Sequence, residues 1–393
     1  MTASKQSGAR RPANRRRQLI DLSAQLFLKH GYPRVSMADI ARAAGVTAPS
    51  LYRHFADKQT LLYDAVLAGV DDLQVCTTAA LTSANGDPHA FLTALCGTIS
   101  RRRDASSLWR WTGTYLSGDQ NREVALRTRE VLRQWAELLF AERSLADWEQ
   151  RQLVWSLLSV AGSLSSHRTR LSPAQATREL VVVADRLVAL TPSAACPLRV
   201  VPHVALPDDD RRTEILDAAA QLFAARGFGP TGVDDIGAAV GITGPSVYRH
   251  FPSKAAILIA IGHRSAARLE AGAVAAYGTG TDEAKVLALL VDSYVDVVNS
   301  MPDLSVSFNY GSELPANGLA RDLVDIQRRY VARWINLLVV VHDIGEAEAG
   351  IAVHAALSIV NDAVRLQRGV ERPEFASQMA YLMKGAMGLA PVG

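Results

Sequence analysis

The sequence predicts an all-α protein made of two tandem copies of one plan, each a three-helix domain followed by a larger helical domain. Three observations predict it. The nine residues TAPSLYRHF at 47–55 return as TGPSVYRHF at 243–251. Residues 16–62 align without a gap with 212–258, about 20 of the 47 positions being identical, which marks an internal duplication. Apolar residues also recur at three- and four-residue steps between turns rich in glycine and proline, with no strand alternation of convincing length. A fainter echo follows at an offset of 199, where REVLRQWAELL around Trp135 matches RRYVARWINLL around Trp334.

The elements of the repeat follow in order. Ile20, Ala24, Phe27 and Leu28 lie on one face of an amphipathic helix that Gly31 is placed to stop. Ser36 is the N-cap of a second, shorter helix, with Asp39 at capping-box spacing and Met37, Ile40, Ala41 and Ala44 as its buried stripe. Gly45 supplies a left-handed turn, and Thr47 caps a third helix whose first turn accepts Pro49. Two short helices joined by a turn containing glycine form a helix-turn-helix, whose second helix enters the DNA major groove. Val46, Leu51 and Phe55 then face the core, leaving positions 47, 48, 50, 52, 53 and 54 facing outward.

IARAAGVTAPSLYRHFADKQTLL resembles the DNA-binding domain of the TetR family of bacterial regulators, and IGAAVGITGPSVYRHFPSKAAIL resembles a second one. The resemblance implies that Ser36, Ser50, Tyr52, His54 and Lys58 hold phosphates or sugars, and that Thr47, Ala48, Pro49 and Arg53 lie nearest the base edges. In the second copy the matching positions are Ser246, Tyr248, His250 and Lys254, then Thr243, Gly244, Pro245 and Arg249. Gly232 stands where the pattern has a hydroxyl, so one phosphate contact and half of a cap are missing there. Arg53 is the side chain best suited to read a base directly, because a guanidinium pairs bidentately with guanine.

Charge separates the copies. Residues 1–62 hold eleven Lys and Arg against three Asp, a strong polyanion signature; residues 208–258 hold five against seven Asp and Glu. The expected organisation is a flexible basic arm at 1–14, a first helix-turn-helix domain at 15–62 and a helical regulatory domain at 63–190. A proline-containing linker at 191–210 then leads to a second helix-turn-helix domain at 211–258 and a second regulatory domain at 259–393. Helices are expected near 60–84, 88–103, 105–117, 120–142, 146–169 and 173–190, and the second half repeats the scheme.

Within the helical domains Trp109, Trp111, Tyr115 and Trp135, with Phe308, Tyr310 and Trp334, are candidates to line an aromatic ligand pocket, against the plainer reading that they are core. Arg110, Gln134 and Asn309 are polar groups that would orient a ligand. The RRR at 101–103 suits a helix C-terminus. No cofactor is expected: GTGT at 278–281 follows a helical segment instead of a strand, and no Walker loop, His-Glu-x-x-His motif or nucleophile elbow occurs. Cys76, Cys96 and Cys196 have neither disulfide-framework nor zinc spacing. The longest aliphatic run, Ile335–Val341, is too short to span a bilayer, so a soluble cytoplasmic protein is expected, with no membrane partner.

The expected function is that of a transcriptional regulator, in the repressor sense, that binds an imperfect palindrome in double-stranded DNA and is released by a small, apolar effector. One chain would supply both reading heads as an intramolecular pseudo-dimer, making the second binding event intramolecular. Whether two such chains pair again is open at this level. Two alternatives remain: a single-headed DNA binder whose second helix-turn-helix is structural or protein-binding, and a small-molecule enzyme or carrier on the helical domains.

Overall fold

The computed structural model describes residues 10–101, 108, 115–165, 169–199, 210–279, 282–310, 318–366, 368 and 370–389. Among them every regular element is helical. The chain forms two compact units, Met1–Ala141 and Glu142–Gly393.

The first unit holds α1 (Arg10–His30), α2 (Met37–Ala43), α3 (Ala48–Tyr52), α4 (Lys58–Ala84), α5 (Pro88–Arg101) and α6 (Gly118–Leu139). Leu19, Ile20 and Phe27 of α1, Ile40 and Ala41 of α2, Leu51 of α3 and Leu61, Leu62 and Ala65 of α4 close one buried core. Gly31 ends α1 at φ 82°, a backbone conformation that favours glycine. α1 starts at Arg10 instead of near Arg15, so the last five residues of the expected flexible arm are helical. Pro12 does not prevent this, since amides of a first turn have no intrahelical acceptor.

The second unit holds α7 (Asp147–Gly162), α8 (Pro173–Ala189), α9 (Arg211–Arg226), α10 (Val233–Ala239), α11 (Gly244–Val247), α12 (Lys254–Thr279), α13 (Glu283–Ser300), α14 (Asp303–Tyr310), α15 (Gly318–His342), α16 (Glu346–Arg365) and α17 (Phe375–Ala386). The helix-turn-helix core is rebuilt here from Ile215, Phe223, Ile236, Val247, Phe251, Ile257 and Ile261.

The long helix expected near 60–84 is present as α4, and one domain boundary differs from the sequence reading. α4 and α12 run unbroken across positions 62 and 258, because no glycine or proline interrupts their apolar pattern there. The division between compact units falls after Ala141, not in the proline-containing linker, because α7 and α8 pack on α16 and α17. Gln152 Nε2 donates to Gln378 Oε1 at 3.2 Å, the Arg372 guanidinium lies 5.3 Å from the Trp148 ring centre, and a Cβ at Gly385 would come within 2.5 Å of Leu190. In the linker, Pro192–Ala194 form a short 3-10 turn and the Arg199 amide donates to Asp292 at 3.3 Å; residues 200–209 lie outside the described part. No described helix is long and apolar enough to cross a membrane.

Candidate nucleic-acid interface

In the first head, Ser36 caps α2 through a reciprocal pair: the Asp39 amide donates to Ser36 Oγ at 3.1 Å, and the Ser36 amide donates to Asp39 Oδ2 at 3.0 Å. Ser36 Oγ also donates to Asp39 Oδ2 at 2.6 Å. These bonds, the hydroxyl foremost, hold the Asp39 carboxyl at about 2. Ser36→Gly, which copies the second head, is therefore expected to move the Asp39 titration, followed by carboxyl NMR, up toward the ordinary carboxylate range. A midpoint still near 2 would show that the hydroxyl is not the cause.

The turn into α3 is closed by the Val46 amide, which donates to Ala41 O at 2.9 Å, with Gly45 at φ 62°. Leu51 and Phe55 are buried and Val46 packs partly against the core, as expected from the outward positions 47, 48, 50 and 52–54. Thr47, Pro49, Tyr52 and Arg53 are exposed; Ala48, Ser50 and His54 are half-buried. Tyr52 keeps 53% of its surface in solvent, so its ring is not a packing residue of the free protein.

Thr47 occupies the N-cap position without making a side-chain cap, contrary to the sequence reading. Pro49 has no amide to offer, and the Ser50 amide already donates to Thr47 O at 3.0 Å. Lys58 turns inward: its ammonium donates to Tyr32 O at 3.0 Å and lies 4.2 Å from the Tyr32 ring centre. Burial lowers its pKa. The lysine ties the loop after α1 to the start of α4.

The second head repeats this geometry. The Ile242 amide donates to Gly237 O at 2.9 Å, Gly241 has φ 70°, and Tyr248 is 53% exposed. Val247 and Phe251 are buried; Thr243, Pro245 and Arg249 are exposed, Ser246 and His250 half-buried, and Gly244 buried. Lys254 donates to Phe228 O at 2.8 Å and Thr231 O at 2.9 Å. Gly232 caps with its amide alone, donating to Asp235 Oδ2 at 2.7 Å. Among the described residues neither Arg53 nor Arg249 enters an ion pair, so both guanidinium groups are available to a polyanion.

Part of the basic charge of the first head is engaged internally, which spacing alone did not reveal. Arg15 donates to Ala44 O at 2.9 Å, Arg16 pairs with Asp64 at 2.5 Å, and Arg17 pairs with Asp21 at 2.8 Å and Asp72 at 2.7 Å.

Two segments, 19–65 and 215–261, match the profile of bacterial regulatory proteins of the tetR family. The chain carries two TetR-family DNA-binding domains in tandem. A 93-residue stretch is 34% identical to the HTH-type transcriptional activator FasR of Mycolicibacterium smegmatis, covering 24% of this chain and 42% of that protein. A 94-residue stretch is 35% identical to the HTH-type transcriptional repressor KstR2 of Rhodococcus jostii, covering 24% of this chain and 46% of that protein. The matched stretches thus span less than half the length of these relatives. A TetR-family transcriptional regulator from Bordetella parapertussis superposes with a TM-score of 0.41 at 18% identity, covering 45% of this chain and 93% of that one.

Of the candidate pocket residues outside the two TetR-family domains, Trp109 and Trp111 lie outside the described residues, as do Arg110 and the side chains of Phe308, Asn309 and Tyr310. The arginines at 101–103 are likewise outside what is described of side chains. Tyr115 is half-buried with its ring 4.7 Å from that of Tyr32, on the first head. Gln134 exchanges hydrogen bonds with Gln74 at 3.0 and 3.1 Å.

Trp135 and Trp334 are both fully buried, yet they differ. Trp135 Nε1 donates to Thr77 Oγ1 at 2.9 Å, whereas Ala273 stands at the repeat position of Thr77, and among the described residues Trp334 Nε1 and the neighbouring Tyr330 hydroxyl, both buried, find no hydrogen-bond partner beyond each other. Trp135→Phe is expected to cost about 1–3 kcal/mol more than Trp334→Phe in denaturant unfolding, because only the first breaks a 2.9 Å bond to a buried hydroxyl. Equal losses would mean that the Thr77 bond contributes nothing.

Proposed function

We propose that the chain is a DNA-binding transcriptional repressor acting in the cytoplasm, with both reading heads of a dimeric regulator fused into one polypeptide. The observation that carries this is the duplicated head: two copies of one helix-turn-helix with the same closing hydrogen bond, the same buried anchors and a free arginine at 53 and 249. One reading helix gives little specificity, and two half-sites about one DNA turn apart supply it. The packing of α7 and α8 on α16 and α17 supports a covalent pseudo-dimer, because it joins the last helices of the first half to those of the second. Light scattering is accordingly expected to give the mass of a single 42.4 kDa chain. A mass of twice that would mean that tandem chains pair again.

A small effector bound in the helical domains would lower operator affinity by shifting the population of head arrangements. Trp334 Nε1 and the Tyr330 hydroxyl, which among the described residues have no partner beyond each other, lie with Tyr294, 5.7 Å from the Trp334 ring, in an aromatic cluster that supports a mostly apolar effector.

The deciding experiment is a salt titration of binding to the DNA upstream of the chain's own gene, with Arg53→Ala and Arg249→Ala. Comparable losses of about tenfold or more in both, at one chain per operator, are expected if each arginine reads a base. Loss in Arg53→Ala alone would leave a single-headed binder. Neither variant losing affinity would overturn the reading.

A further inference from the structure

The two reading helices present nearly the same surface. Thr, Pro, Ser, Tyr, Arg and His recur at equivalent places, and the helices differ at Ala48 against Gly244 and at the buried pair Leu51 against Val247. Taken alone, α3 and α11 would select the same bases. One group from outside the reading helix breaks that equivalence.

α2 carries Ala38 at its second position, where α10 carries Asp234; both are exposed. The Asp234 carboxylate lies directly over Gly244, the first residue of α11: a Cβ at Gly244 would overlap Asp234 Oδ1 and come within 3.0 Å of Cγ. The second head thus has a carboxylate in the space that the Ala48 methyl takes in the first, and glycine at 244 makes the room. Among the described residues Asp234 enters no ion pair. Its neighbour Asp235 takes the capping role, accepting from the Gly232 amide and lying 3.9 Å from the Arg226 guanidinium.

We propose that Asp234, through its seat on Gly244, sets the base preference of the second head and makes the two half-sites chemically different. This rests on the two-headed reading above. An ionised carboxylate only accepts hydrogen bonds, and in the major groove the matching donor is the exocyclic amino group of cytosine, whereas an alanine methyl suits the thymine methyl. At the base pair facing the start of the reading helix, the second head therefore selects cytosine and the first does not. The operator is a palindrome broken at that position.

The test is selection from a pool of randomised DNA duplexes by the full-length protein, followed by affinity measurements on the selected sites. Wild type is expected to select two half-sites that agree except at that position, with a cytosine in one of them. Asp234→Ala should lower discrimination for that cytosine by roughly tenfold or more. The double variant Asp234→Ala with Gly244→Ala, which gives the second head the residues of the first, should make the two halves converge.

Identical halves selected by wild type would overturn the proposal. So would an affinity gain in Asp234→Ala shared by all duplexes, which would reduce the carboxylate to a repeller of phosphates. Arg249→Ala separates the two levels: if it changes neither affinity nor the selected sites, the second head is not on DNA, and the two-headed reading fails before this one.

Discussion

Replacing Asp303 with alanine is expected to lower the unfolding free energy of the second unit by about 3–5 kcal/mol, the range for removing one partner of a buried ion pair. Asp303 opens α14 and its side chain is 2% exposed. It accepts from Arg264 Nε at 2.7 Å and Nη2 at 2.9 Å, a two-pronged contact, and from Arg268 at 3.2 Å. Arg264 in turn reaches Asp217 of α9 at 2.6 Å, so one network joins the first helix of the second head to α12 and α14. Without Asp303 the partly buried Arg268 guanidinium loses its carboxylate, and the more deeply buried Arg264 keeps only the half-exposed Asp217. Asp217 is 46% exposed, and its removal is expected to cost no more than about 1 kcal/mol because solvent screens that pair. Denaturant unfolding of both variants checks the contrast; equal losses would show that burial is not what makes the Asp303 contact strong.

The first head solves the same joint with the opposite polarity. There the cations sit on α1, as Arg16 and Arg17, and the carboxylates on α4, as Asp64 and Asp72. Ala68 stands where Arg264 stands in the repeat, and Thr213 where Arg17 stands. The difference in net charge between the heads is therefore partly a difference in how each is fastened to its long helix.

Local signals carried the reading of the heads. The three-residue spacing from Ser36 to Asp39, the glycines at 31 and 45 and the apolar steps through Phe27, Ile40 and Leu51 each depend on a few neighbouring positions, and the helices and turns appear where those signals put them. What depends on partners far along the chain was not legible. Arg15, Arg16 and Arg17 counted toward the polyanion signature of residues 1–62, yet Ala44, Asp64 and Asp72, which engage them, lie 29 to 55 positions away. Lys58 read as a phosphate ligand because nothing in its vicinity names Tyr32 O, 26 positions back, as its acceptor. The unit boundary after Ala141 was hidden for the same reason: only the packing of α7 and α8 on α16 and α17 creates it. Asp234 escaped because its meaning lies in a contact with Gly244, a residue on the next helix.

Lys384→Met is expected to cost about 3 kcal/mol near neutral pH, and its cost should shrink as the solution is acidified toward about pH 4. Lys384 of α17 donates to Asp292 Oδ1 of α13 at 2.6 Å, and the Asp292 side chain is 2% exposed. Burial pushes the Asp292 carboxyl above the ordinary carboxylate range, while the Lys384 ammonium pulls it part of the way back. The folded protein thus holds this proton more tightly than the unfolded chain, and the group's contribution to stability falls as pH rises through the raised folded value. Methionine keeps the packing of the lysine stem and removes the counter-charge, so the carboxyl rises further and its ionisation becomes more costly. As the pH falls through the raised folded value the carboxyl takes up its proton in the folded protein, and the missing ammonium matters less. The other Asp292 oxygen accepts the Arg199 amide, so the same carboxylate anchors the end of the described linker to α13. Unfolding of wild type and variant at about pH 7 and about pH 4 measures the difference. A deficit of the same size at both would show that the lysine acts through packing alone, and that the charge of Asp292 does not hold α17 and the linker in place.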